Sequence, residues 1–241
     1  MQENLTHSEK IHQTEHGLYI SDLVYGANDG IITTFAVISG AAGASLTPGT
    51  IVILGLASLI ADGISMGLSN YLGISSKLDY QKQERLREEF EVEKFPEKER
   101  GEVLEIMQKW GVPHKYMEEI LDAVTSDKKR WVDLMMREEL GIYEDRGVHP
   151  MNHGVVTMIA FIIAGFLPLI PYIFGVQAES QFVVSLAATG ASLFIVGAAR
   201  TLVTGTNWFR SGMQMLSVGV LAAFAAYFVG SIVKGLIGIS I

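Results

Sequence analysis

Cysteine is absent from all 241 residues, which excludes disulfides and thiolate metal sites at the outset. Charge is nearly missing outside one block: 33 of the 44 charged residues fall within residues 75–150, leaving 11 for the other 165 positions. Proline is scarce at six residues, so long helices can run without interruption. No G-x-x-x-x-G-K-[ST] loop occurs, which removes the usual phosphate cradle of an ATP-driven machine. The charged block itself carries 19 acidic and 14 basic residues, a net of −5, which argues against nucleic acid as a partner and suits a cationic one.

What remains is apolar. Hydrophobic residues make up 49% of the chain and its mean hydropathy is +0.31, high for a soluble domain. A span needs about 20 mostly apolar residues to cross roughly 30 Å of hydrocarbon. Five stretches meet that length, at about residues 22–44, 51–74, 155–174, 182–204 and 213–236. The expected fold is therefore all-α: a polytopic membrane protein with five transmembrane helices and a cytosolic helical domain inserted between spans two and three. Its expected parts are an N-terminal cytosolic tail (1–21), spans one and two (22–74), the inserted domain (75–150) and spans three to five (151–241). The short connection around Pro48 and Gly49 makes the first two spans a tight hairpin.

Lys and Arg set the expected orientation. The turn at Pro48 and the loop at Gln177 have none, whereas the insert has 14 and the fourth connection is flanked by Arg200 and Arg210. The tail, with Lys10, and the insert then face the cytosol, and Ile241 lies on the opposite side. Lys234 runs against this rule.

In the insert, the helix of the second span is expected to continue to about residue 93, since Gly73 is its last breaker. Pro96 and Pro113 fit first-turn positions, and Asp127 fits the N-cap of a helix running to about Leu140. Gly111 and Gly141 supply stops.

An aspartate inside a span costs about 2.5–3.5 kcal/mol on insertion scales, so Asp29 and Asp62 each require a reason. In the first span Asp22, Tyr25, Gly26, Asp29 and Thr33 form one polar stripe, and in the second Ser58, Asp62, Ser65, Met66 and Ser69 form another. A hairpin lets the stripes face each other and outlines a cation path; the bland alternative is an aspartate that only braces two helices. In the insert, Glu88 with Glu91 and Glu99 with Glu102 lie three apart, and Met135 shares a face with Glu139 beside Met136. Carboxylates suit hard cations and thioethers draw softer transition metals, although an acidic face is more often merely solvated and paired Met merely core. His12, Glu15 and His16 match H-x-x-E-H, a zinc-peptidase signature, but a short tail offers neither a further ligand nor a pocket. With His7 these residues suit, at most, loose metal capture.

Asn28-Asp29-Gly30, Gly63-Ile64-Ser65-Met66-Gly67, Met135-Met136 with Glu139, and Pro168-Leu169-Ile170-Pro171-Tyr172 together resemble the vacuolar iron transporter family over nearly the whole chain after Asp22. The resemblance implies a prokaryotic-type homodimeric exchanger in the cell membrane that moves ferrous iron, or manganese in related members, out of the cytosol against protons. It implies a path past Asp29 and Met66, cytosolic metal ligands at Glu88, Glu91, Glu99, Glu102 and Glu139, and paired methionines at Met135 and Met136. Fe2+ is then substrate, with Mn2+ and Zn2+ as further candidates, and no prosthetic group or enzymatic activity is expected. One departure stands out: plant members carry a glutamate at the position of Ser58, and a small residue at that of Asp62. Two other readings of the sequence remain, a membrane-anchored metal sensor or buffer and a zinc-dependent membrane peptidase.

Overall fold

The computed structural model describes residues 19–143, 147–175, 177 and 180–237. The histidine-containing tail, with His7, His12, Glu15 and His16, and the C-terminal Ile241 lie outside the described residues. Among those described, every regular element is helical. The helices are α1 (Ile20–Gly43), α2 (Pro48–Lys94), α3 (Pro96–Lys109), α4 (His114–Thr125), α5 (Lys128–Glu138), α6 (Pro150–Phe166), α7 (Ile170–Ile173), α8 (Gln181–Ala199), α9 (Thr201–Thr204) and α10 (Trp208–Ile237). A 3-10 turn at Leu167–Leu169 joins α6 to α7.

The chain divides into two compact units, one of Met1–Tyr71 with Pro150–Ile241, the other of Leu72–His149. Among the described residues, four segments are long and apolar enough to cross a membrane: α2, Pro150–Ile173, α8 and Trp208–Leu236. This is an integral membrane protein. Its large apolar side chains point outward, as Ile53 on α2 and Leu221 and Phe224 on α10 do, which is unfavourable in water and natural in lipid.

The expectation of five spans meets four such helices. The difference is α1, which has the length, 24 residues, but carries Asp22, Asn28 and Asp29 and several small residues in place of large apolar ones. These residues serve close packing. A Cβ on Gly30 would lie 2.2 Å from the carbonyl oxygen of Phe161, so α1 touches α6 backbone to backbone. Gly67 of α2 and Gly154 of α6 do the same, each Cβ position falling 2.8 and 2.6 Å from the other's carbonyl oxygen. Around these contacts Phe35, Ile38, Leu59, Phe161 and Leu169 form the apolar core.

α2 has 47 residues and runs without a break, a length of about 70 Å at 1.5 Å per residue. That is roughly twice the hydrocarbon thickness, so its polar second half belongs outside the membrane.

The second unit builds its own core from Val92, Val103, Ile106, Met107, Leu121, Trp131, Val132, Met135 and Met136. Pro96 opens α3, where its missing N–H costs nothing, and the side chain of Asp127 caps α5 by accepting from the backbone N–H of Arg130 at 2.8 Å. Pro113 is the N-cap of α4 rather than a residue of its first turn, its extended backbone (ψ 137°) turning the chain into the helix. α5 ends at Glu138, with Glu139 as C-cap, slightly earlier than the spacing predicts. Gly111 and Gly141 take positive φ, at 73° and 65°, where a side chain would be strained.

Candidate metal centre

Five glutamates converge in the unit formed by Leu72–His149. Glu88 and Glu91 sit one turn apart on α2, Glu99 and Glu102 one turn apart on α3, and Glu139 at the end of α5. The fold assembles them into two overlapping triads, Glu88 with Glu91 and Glu99, and Glu99 with Glu102 and Glu139. Within each triad one carboxylate oxygen per residue lies within 4.8 Å of the others. Glu99 belongs to both and is wholly buried, and Glu88 is nearly so.

Such crowding needs compensation. Burial holds the Glu88 carboxyl far above the ordinary glutamate range, pushing it up to about 8, and the charges of Glu139, Glu99 and Glu91 add to the effect. Burial also raises Glu99, against the opposing pull of Lys98, and raises Glu139, helped by Glu102 and Glu99. The ammonium of Lys98 reaches Glu102 at 2.9 Å and Glu99 at 3.2 Å from a largely exposed position. It neutralises part of the cluster from outside. One buried oxygen each of Glu88, Glu99 and Glu102 still has no hydrogen-bond partner. Buried acceptors are normally satisfied, so three unpartnered oxygens in one cluster are unusual. The donors are all carboxylate oxygens, at least three per triad, which fits a divalent ion.

Met135 and Met136 are fully buried within the apolar core of the same unit. The backbone N–H of Glu139 bonds the carbonyl of Met135, so the pair lies on the last turn before Glu139. Their place in the structure satisfies a packing role in full.

In the other unit, the hydroxyl of Ser58 donates to Asp62 at 2.5 Å, joining two residues of the polar stripe on α2. Met66, one turn further along α2, packs against the apolar core. Asp29 of α1 and Ser58, Asp62 and Met66 of α2 are each partly buried.

Sequence reasoning missed a third polar group. Asp22 of α1, Asn70 of α2, and His153 and Thr157 of α6 form one hydrogen-bonded network within the first unit. Their signal is present as polar residues near the ends of three apolar runs, but nothing in their spacing ties one run to another.

A sequence profile of the VIT family matches residues 20–231, through both units. The chain belongs to the VIT family. Among its relatives, "Vacuolar iron transporter 1" of Arabidopsis thaliana is 34% identical over 229 residues, spanning 95% of this chain and 90% of that protein. "Vacuolar iron transporter" of Toxoplasma gondii is 34% identical over 229 residues, 91% of this chain and 76% of the relative. The Plasmodium falciparum "Vacuolar iron transporter" is 30% identical over 241 residues, 95% and 88% of the two chains. These relatives are named as transporters rather than enzymes. In this VIT-family chain, then, the carboxylate triads and the two polar stripes lie inside the matched region.

Proposed function

We propose that this protein transports ferrous iron across a membrane, exporting it from the cytosol in exchange for protons, with manganese and zinc as further divalent cargo. The observation that carries the reading is the pair of glutamate triads with their unpartnered buried oxygens, in a chain that also carries partly buried Asp29 and Asp62 on two helices of a membrane unit. The relatives' names supply iron as the first metal to try.

In this reading α1 is the fifth span: its polar stripe faces its neighbours and so makes it less apolar than the other four. The tail and the glutamate unit face the cytosol, the C-terminus lies on the opposite side, and two copies form a homodimer in a cell membrane. The glutamate unit gathers the ion, and Asp29, Asp62, Ser58 and Met66 carry it across. Met135 and Met136, which fill the core one turn before Glu139, are candidate soft donors in this reading; Met→Leu replacements keep their volume and would change metal preference only if sulfur binds.

Energy must come from a gradient. Moving a divalent cation out against about 100 mV, inside negative, costs about 4.6 kcal/mol before any concentration difference. Without a Walker-type loop, proton exchange is the economical source, because a buried carboxylate holds either a proton or a share of metal charge. The deciding experiment is metal uptake into proteoliposomes with and without an imposed pH gradient, comparing ferrous iron, manganese, zinc and calcium. Binding without uptake would leave a membrane-anchored sensor or buffer and end the transport reading.

A further inference from the structure

The network at the start of α6 joins Asp22, the first residue of the α1 stripe, to groups that belong to neither the glutamate triads nor the two stripes. His153 Nδ1 lies 2.5 Å from Asp22 Oδ2. Asn70 Nδ2 donates to the other carboxylate oxygen of Asp22 at 2.8 Å and to Thr157 Oγ1 at 2.7 Å, and Thr157 in turn donates to the carbonyl of His153 at 2.8 Å. The ring of Tyr19 tilts against the imidazole at 4.7 Å. Both Asp22 and His153 are buried, at 6% and 8% exposure. Three helices thus meet at an ionisable pair inside a unit whose other walls are largely apolar.

A brace between helices needs neither ionisable group. Two amides or hydroxyls would join α1 to α6 without burying a carboxylate, and a buried carboxylate is costly unless a partner compensates it. Histidine is the side chain that ordinarily changes charge between about pH 5 and 8. With Asp22 ionised, Nδ1 must carry a hydrogen to bond it, which leaves Nε2 as the basic position. A proton arriving from water at Nε2 forms an N–H bond, turns the pair from a net charge of −1 to neutral, and leaves by the same bond. The residues that the structure places against His153 are Asp22 and Tyr19 from the α1 side at its ring, and Asn70 of α2 and Thr157 of α6 at its carbonyl. Among these described residues Asp22 alone is charged. Asp29 stands seven residues on, two turns or about 10 Å along the same face of α1.

From this geometry we infer that the His153–Asp22 pair is a proton-binding site of the transport cycle, separate from the metal-carrying carboxylates and two turns from Asp29. The inference rests on the proton-exchange reading above and gives it a second titratable station, at the end of the unit where α1 and α6 begin. Loading the pair neutralises the end of the α1 stripe; unloading it restores a negative charge there that favours an incoming cation.

The test compares the unaltered protein with His153→Asn, whose amide nitrogen takes the place of Nδ1 and keeps the donor to Asp22 while removing the titratable Nε2. Metal uptake into proteoliposomes is measured across pH 5 to 8, with and without a pH gradient, per folded molecule. The expected result is wild-type thermal stability with loss of the gradient stimulation and a flat pH profile. A folded His153→Asn protein that keeps the wild-type pH profile overturns the inference. If the unaltered protein itself shows no gradient stimulation, proton exchange falls, a different outcome from stimulation that survives the substitution. Should His153→Asn fail to fold, 15N NMR of histidine-labelled, unaltered protein decides: titration of His153 Nε2 that shifts on adding zinc supports the site, and an imidazole that never titrates between pH 5 and 8 overturns it.

Discussion

In the unit of Leu72–His149, acidic side chains are crowded together, with three buried oxygens lacking partners and one exposed lysine leaning over them. In the membrane unit, Asp22 and Asp62 instead have donors to hand, from His153 and Asn70 and from Ser58. The contrast teaches what each region can do with a cation. In the proposed cycle a cluster that repels itself would gain from a divalent ion and hold it, and carboxylates already hydrogen-bonded one by one would bind it more weakly and release it more readily. Retention suits the first region and passage the second.

The largest expected effect breaks that comparison at its membrane side. Asp29→Asn keeps size and hydrogen bonding but removes the charge, so flux per folded molecule should fall toward the level of empty vesicles and its response to a pH gradient should vanish together with it. Gradient-stimulated uptake that survives would make Asp29 a brace and shift attention to Asp62.

Next in size is the holding side. Replacing Glu99, Glu102 and Glu139 together with Gln removes one triad outright, and even outer-shell partners of a metal are typically worth roughly 10- to 100-fold in affinity. Calorimetry should therefore show affinity weakened by more than about tenfold, while uptake at saturating metal persists because crossing depends on the other unit. Complete loss of flux at high metal would contradict the division of labour.

A smaller effect is set by protons. Glu88 has its carboxyl raised in the folded protein from about 4.5 to about 8, so the folded state binds more protons than the unfolded one between those values. The stability this proton contributes is fully present below about pH 4.5 and is lost as pH rises through about 8. Metal-free protein should thus melt at progressively lower temperature over that window, and metal, which replaces the protons, should bind more tightly with rising pH and restore the melting temperature. A metal-free melting temperature that climbs from pH 5 to 8 would reverse the sign and sink the assignment.

The smallest effect belongs to Lys98. Its ammonium competes with the ion for Glu99 and Glu102 from an exposed position, where such pairs contribute little. Lys98→Gln should tighten metal binding a few-fold, and weaker binding would show that the lysine orients the ligands instead.

Much of this molecule is legible in its amino-acid sequence. The segregation of charge into one block of 76 residues separates a polar unit from an apolar one, because hydrocarbon rejects charge wherever it falls in the chain. Helix starts and stops at Pro96, Asp127, Gly111 and Gly141 follow from local backbone chemistry, which a few neighbouring residues determine. The glutamate pairs Glu88/Glu91 and Glu99/Glu102 follow from helical periodicity. Tertiary structure alone decided that Glu99 joins both triads and that Glu139 closes one of them, since those contacts depend on how separate helices pack. It also decided that Met135 and Met136 fill a core and that Asp22 finds His153, 131 residues away. Sequence spacing reports which residues share a face of one helix; only packing, through the close approach of α6 at Gly30 and Gly67, reports which faces meet.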